Sequence, residues 1–184
     1  MAVSVWTTYR AMNRTMAQCQ KGFNVHLEML RLDKILIPLL MSASAQRQKN
    51  EEANFKGDQS SLVFTTLNHM RYPPEASPIA TVTLKHSRDE GLTLTLNPYR
   101  FLTKEVDSSS DIVHRFPHMK ELELEYHSEE DQLRSWDAED KGGAPPRIVT
   151  IKAKFEEEGA TKEIPYTRHV PVPTQRDLPL QGTR

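Results

Sequence analysis

Apolar residues in the first part of the chain recur at steps of three and four positions, the period of an α-helix with one apolar face. The residues in this series are Val5, Tyr9, Met12, Met16, Cys19, Phe23, Leu27 and Leu30. More apolar residues follow at 32–40 around Pro38, which lacks a backbone donor. We therefore predict a long amphipathic helix over residues 1–44, with a kink or a restart near Pro38.

The period changes after a polar stretch at residues 45–61, in which Lys56, Gly57 and Asp58 indicate a turn. Beyond this stretch, short runs alternate between apolar and polar residues, as β-strands do. The runs cover residues 62–66, 79–85, 92–96, 119–126, 148–155 and 164–170. We expect a polar connector at 45–61, a β-rich globular part at 62–173 and a flexible tail at 174–184.

The alternating runs indicate how the strands are arranged. Residues 92–96 and 122–126 place apolar side chains on one face and polar side chains on the other, which is typical of antiparallel sheets with one solvated face. Residues 87–91, ending in Gly91, fit a hairpin turn, and residues 140–146 fit a longer loop. The sequence predicts one α+β domain, in which a long N-terminal helix packs on mostly antiparallel β-sheet.

Charge and composition narrow the classes of partner. The 24 basic and 25 acidic residues nearly cancel, and neither sign forms a block longer than residues 156–158. This balance argues against nucleic acid and against anionic lipid as partners. No stretch approaches the ~18 consecutive apolar residues of a membrane-spanning helix. The single cysteine, Cys19, cannot form an internal disulfide.

Two groups of residues invite a metal-site interpretation. His114 and His118 have the four-residue spacing of a helical zinc pair. Pro117 between them argues against a helix, and on a strand the same spacing would hold the two rings far apart. Asp107 and Asp111 lie in a serine-rich loop that lacks the repeated oxygen ligands of a calcium loop. We interpret the histidines as surface residues and predict no metal site.

Catalytic chemistry finds little support in the sequence. A nucleophilic cysteine would have to lie against a histidine, whereas Cys19 falls within the apolar series of the helix. There is no glycine-rich phosphate loop. Glu121, Glu123 and Glu125 alternate along one strand, as on a solvated sheet face. We therefore expect no catalytic residues, no cofactor and no enzymatic activity.

Residues 21–28 superficially match a prepilin cleavage signal, since a glycine precedes a phenylalanine and a glutamate soon follows. The glutamate is one position late for that signal. Arg31, Asp33 and Lys34 would also place charges at the start of a membrane span, where each is costly. We interpret this segment as helix interior rather than as a cleavage site.

Four segments follow one another in a characteristic order. Residues 62–66 read LVFTT, residues 119–126 read MKELELEY, residues 133–137 contain Trp136, and residues 145–151 read PPRIVTI and contain Arg147. Together with a long helix before a β-rich remainder, this order resembles the J-class minor pseudopilins, the GspJ family, of type II secretion systems. The family's cleavage motif and the apolar anchor half of its helix are missing, as in a periplasmic fragment that begins after the anchor.

The resemblance implies a pilin-like fold and a structural subunit at the tip of the pseudopilus, which supports protein export across the outer membrane. It implies other minor pseudopilins as partners, of the I and K classes, with the H class left open. Contact with the membrane would be made only through the missing inner-membrane anchor.

Two alternatives stay open. One is a minor pilin of a type IV pilus or competence system, against which the segment with Trp136 and Arg147 counts. The other is an unrelated β-rich binding domain, which a deep pocket with converging titratable groups would indicate.

The apolar helix series also predicts a partner interface, because exposed apolar helix stripes commonly meet partner helices. We expect this interface to consist of Val5, Tyr9, Met12, Met16, Cys19 and Phe23. Nearer the globular part, for Phe23, Leu27, Leu30 and Leu36, we favour packing against the protein's own sheet, so that only the first turns protrude.

Overall fold

The computed structural model describes residues 23–43, 55–66, 80–98, 112–156 and 163–173. Its helix, α1, covers residues 23–41 of the predicted helix 1–44, and residues 1–22 and the tail 174–184 lie outside the described residues. The described strands are β1 Phe55–Gly57, β2 Ser61–Thr66, β3 Ala80–Ser87, β4 Gly91–Pro98, β5 Ile112–Phe116, β6 Met119–His127, β7 Gln132–Leu133, β8 Trp136–Asp137, β9 Ile148–Glu156 and β10 Glu163–Pro171.

The strands form two sheets, and every described pairing is antiparallel. The larger sheet has the order β5-β4-β3-β2-β1-β8, and the smaller sheet has the order β10-β9-β6-β7. Gly91 closes the β3–β4 hairpin with a φ of 74°, which favours glycine. A Cβ at that position would also lie 2.3 Å from the carbonyl oxygen of Phe116. The prediction of a mostly antiparallel α+β fold is confirmed.

All six strands predicted from the sequence are confirmed, as β2, β3, β4, β6, β9 and β10. Four strands were not predicted: β1, which lies within the expected connector 45–61, and β5, β7 and β8. Three of these have two or three residues, which is too short for an alternating pattern to be visible. In β5 the pattern is broken because a histidine, His114, turns toward the helix and contacts Arg31.

The helix continues through Pro38 to residue 41, so the restart considered for that position does not occur. Pro38 and Lys34, four residues earlier, both lie on the exposed side of α1. The helical hydrogen bond that proline removes therefore falls on the solvent side, where water can replace it.

Two hydroxyl groups tie the end of α1 to β2. The hydroxyl of Ser42 donates to the carbonyl oxygen of Pro38 at 2.7 Å, and that of Thr66 donates to the carbonyl oxygen of Leu39 at 3.1 Å. Thr66 is fully buried. Carbonyls in the last turn of a helix lack their usual intrahelical donors, so these hydroxyls, together with the backbone amide of Ser42, satisfy them where the chain leaves α1.

One continuous apolar core joins the helix to both sheets. The turn between β1 and β2 connects the sheets, because the Tyr126 hydroxyl donates to the carbonyl oxygen of Asp58 at 2.8 Å and the amide of Leu124 donates to that of Gln59 at 2.9 Å. Only glycine fits at position 57, where a Cβ would lie 2.1 Å from the Tyr126 hydroxyl oxygen. These contacts tie the larger sheet to β6 of the smaller sheet.

Candidate functional site

The helix α1 is apolar on two opposite sides. Its core-facing side chains are all buried: Val25, Leu32, Leu36, Leu39 and Leu40. Successive residues of an α-helix are rotated by about 100°, so these positions cluster around one direction. This face carries the contact with the sheets.

A second set of large apolar side chains lies in solvent. They are Phe23, 62% exposed, Leu27, 45%, Leu30, 56%, and Met41, 51%. On an ideal helix these four positions fall within about 40° of a common direction, roughly 180° from the centre of the core-facing side. We refer to Phe23, Leu27, Leu30 and Met41 as the exposed stripe.

The exposed stripe corrects one prediction. Leu36 packs in the core as expected, but Phe23, Leu27 and Leu30 do not pack against the protein's own sheets. The periodicity was the same for both sides of the helix, and the side that contains Val25 is the one that meets the sheets.

Only part of the predicted partner interface lies among the described residues. Phe23 is exposed, and it is the most exposed member of the stripe. Val5, Tyr9, Met12, Met16 and Cys19 lie outside the described residues.

Polar contacts on one flank of α1 set its rotation. His118 lies in the turn between β5 and β6, and its Nδ1 donates a hydrogen bond to Glu28 Oε1 at 2.7 Å. Arg31 Nη2 lies 3.0 Å from His114 Nδ1, and its guanidinium lies 5.7 Å from the centre of the Phe116 ring. Because a guanidinium can only donate, His114 Nδ1 must be unprotonated. Burial, and then the charge of Arg31, lower the pKa of His114.

The other flank of α1 is held by Asp33. Its Oδ1 accepts hydrogen bonds from the Tyr166 hydroxyl at 2.6 Å and from Arg168 Nε at 3.0 Å, and its Oδ2 accepts one from Arg168 Nη2 at 2.8 Å. Tyr166 is buried. Burial, followed by the hydrogen bond to Asp33, raises the pKa of the Tyr166 phenol. With both flanks fixed, the exposed stripe is directed away from the sheets.

The two histidines flagged by their spacing therefore contact the helix rather than a common metal. His114 faces a guanidinium and His118 faces a carboxylate. The interpretation as plain surface residues is also incomplete, since both are partly buried. Within the described ranges, no group of three or more His, Cys, Asp or Glu side chains is arranged to hold a metal ion.

The glutamates on β6 are not all exposed to solvent, as the sequence had indicated they would be. Glu121 is exposed, but Glu125 is buried and its Oε1 lies 2.6 Å from Lys152 Nζ. The hydrogen bond from Lys152 lowers the pKa of Glu125 despite burial. A shallow groove of about 690 Å³ runs along this side of the smaller sheet, and Lys154, which lines it, forms an ion pair with Glu121 at 2.7 Å. The groove is lined by more basic side chains, Arg88, Lys120, Lys152 and Lys154, than acidic ones, Glu121 and Glu123.

Comparison with solved structures identifies a related architecture. The chain is similar to a chain in the crystal structure of the GspK-GspI-GspJ complex from the enterotoxigenic Escherichia coli type 2 secretion system. The TM-score is 0.56 and the sequence identity is 18%, over 81% of this chain and 99% of that chain. The fold is pseudopilin-like.

At this identity the similarity establishes the pseudopilin-like fold and not the class of pseudopilin. No protein-family model matches the chain, and no curated protein matches it. Among the described residues, no helix has the length and apolar character needed to cross a membrane.

Proposed function

We propose that this chain is a J-class minor pseudopilin that assembles with other minor pseudopilins at the tip of a type II secretion pseudopilus. In this proposal its role is structural rather than catalytic, it needs no cofactor, and it lies in the periplasm beyond an inner-membrane anchor. The observation that carries the proposal is the exposed stripe of α1.

Exposure of the stripe to water is energetically unfavourable for an isolated subunit. Its four side chains are large and apolar, and Phe23 and Met41 are about 27 Å apart along an α-helix. An apolar surface of this length, interrupted only by Lys34 between Leu30 and Met41, is typical of a site that another protein covers. In the sequence, the steps of three and four that give Phe23, Leu27 and Leu30 extend back to Val5. A helix with that spacing would present one long apolar seam to a partner helix.

The segments that carry the family resemblance support the J class. Trp136 is buried, and its indole N–H donates to the carbonyl oxygen of Ala144 at 3.1 Å. The backbone amide of Arg147 donates to the carbonyl oxygen of His127 at 2.8 Å, and its side chain forms an ion pair with Glu129. These residues fix the loop between β8 and β9, so a relative with the same segments would share this local structure.

The proposed partners follow from the same comparison. The similar structure contains a complex of GspK, GspI and GspJ. We therefore expect this chain to bind soluble pseudopilins of the I and K classes from its own organism, with an H-class subunit as a further candidate. Binding to type IV pilins instead would favour the alternative of a minor pilin.

The test is to mix the 21.1 kDa chain with those soluble I-class and K-class subunits and to measure the mass of the complex by light scattering. We expect a complex that Leu27→Asp abolishes. Val113→Asp is the matched control, because Val113 is 46% exposed and Leu27 is 45% exposed, but Val113 lies on β5. Both variants should fold, since neither position is in the core. No association at tens of micromolar, or equal loss with both variants, would contradict the proposal.

A further inference from the structure

One charged residue, Lys34, lies between members of the exposed stripe and has no ionic partner among the described residues. Lys34 lies on the exposed side of α1, four positions after Leu30 and seven before Met41. These spacings place it on an ideal helix within about 40° of both, in the middle of the stripe. Its ammonium group forms no hydrogen bond or ion pair with any described residue.

The helix itself offers no carboxylate to Lys34. Side chains three and four positions away are neighbours on a helix surface. These neighbours of Lys34 are Leu30, Arg31, Ile37 and Pro38. The acid nearest in sequence, Asp33, instead accepts hydrogen bonds from Tyr166 and Arg168 of β10. On the surface of α1, the ammonium group of Lys34 therefore has apolar neighbours and the basic Arg31 beside it, and no acid.

Covering the stripe would bring Lys34 into an apolar contact. An ammonium group that loses water without gaining an opposite charge is strongly unfavourable. We propose that the partner of the exposed stripe is a helix whose own apolar stripe is interrupted by one aspartate or glutamate, and that this carboxylate pairs with Lys34. This inference rests on the proposed function and adds to it the chemistry and the register of the partner.

The register follows from the helix dimensions. Lys34 lies about 6 Å beyond Leu30 and about 10 Å before Met41 along the axis. The partner's carboxylate must lie at that level, with an apolar residue about four positions away on the side of Leu30 and another about seven positions away on the side of Met41. A charge pair at this point selects one register, because sliding either helix by one turn would bury the ammonium against apolar side chains.

The test is a comparison of dissociation constants for the I-class or K-class subunit that binds the chain. We expect Lys34→Glu to weaken binding at least about tenfold, since close interfacial charge pairs have large coupling energies. Arg88→Glu, the same change of charge at an exposed position in the β3–β4 turn, should stay within about twofold of the unmodified chain. Changing the acids of the partner helix to lysine, one at a time, should restore binding of Lys34→Glu at a single position.

Three results would overturn the inference, and they separate it from the proposed function. If Leu27→Asp abolishes binding while Lys34→Glu binds like the unmodified chain, the stripe is the interface and Lys34 reaches solvent at its edge. If Lys34→Glu weakens binding but no partner substitution restores it, there is no carboxylate opposite Lys34. If the chain binds no pseudopilin but sediments with vesicles of anionic phospholipid, both the proposed function and the inference are wrong.

Discussion

Replacing Asp33 with alanine should loosen the flank of α1 that contacts β10. The carboxylate accepts the hydroxyl of Tyr166, which is 3% exposed, and a buried hydrogen bond to a charged group contributes about 1.5–3 kcal/mol. The Arg168 side chain is 44% exposed, so its ion pair with Asp33 contributes about 0–1 kcal/mol. We expect Asp33→Ala to lower the free energy of unfolding by about 2–3 kcal/mol.

Urea unfolding followed by circular dichroism would measure this change. Tyr166→Phe is the matched variant, because it removes the hydroxyl and leaves Asp33 paired with Arg168. It should cost about 1.5–3 kcal/mol, the contribution of the hydrogen bond that it removes, and the double variant should be less destabilised than the sum of the single variants by at least about 0.5 kcal/mol. A loss below about 0.5 kcal/mol for Asp33→Ala, or strict additivity, would refute the role assigned to this contact.

Three further predictions concern the packing around the helix. The pKa of His114 is lowered by burial and by Arg31, so its stabilising contribution is full above pH 6.5 and is lost as the pH falls through the lowered pKa. His114→Asn should flatten the pH dependence of the unfolding free energy in that window, and an unchanged profile would contradict it. Gly57→Ala should cost about 1–3 kcal/mol by clashing with Tyr126, and adding Tyr126→Phe should relieve part of that cost. Thr66→Val should cost about 0.5–1.5 kcal/mol in thermal or urea unfolding, because the carbonyl of Leu39 loses its buried donor and keeps only those of Ser42, and a neutral effect would contradict it.

Much of the β-structure could be predicted from the sequence, because six strands are long enough for alternation to be visible. β4 buries Leu92, Leu94 and Leu96, and β9 buries Val149, Ile151, Ala153 and Phe155. β1 could not be predicted, since its three residues contain only one apolar side chain, Phe55, and it is defined by pairing with β2. β5 could not be predicted for a different reason: a polar residue, His114, occupies its inward-facing position.

The orientation of the helix could not be predicted from its periodicity. Both sides of α1 repeat apolar residues at steps of three and four, so the pattern is compatible with either side facing the sheets. The choice depends on distant contacts, among them Glu28 with His118 and Asp33 with Arg168. Each of these joins residues more than 80 positions apart in the chain. Charged residues on the two flanks of a predicted amphipathic helix are the one signal that could have indicated its rotation.

Thiol labelling with and without partner subunits would show whether assembly covers the exposed stripe. A single cysteine would be placed at Leu30→Cys, or at Val113→Cys as the control, in a Cys19→Ser background. Both native side chains are exposed in the isolated chain, at 56% and 46%. Binding of the I-class and K-class subunits should slow labelling at position 30 and leave labelling at position 113 unchanged. Unchanged labelling at position 30, in a complex whose mass shows that it has formed, would mean that the exposed stripe is not the interface.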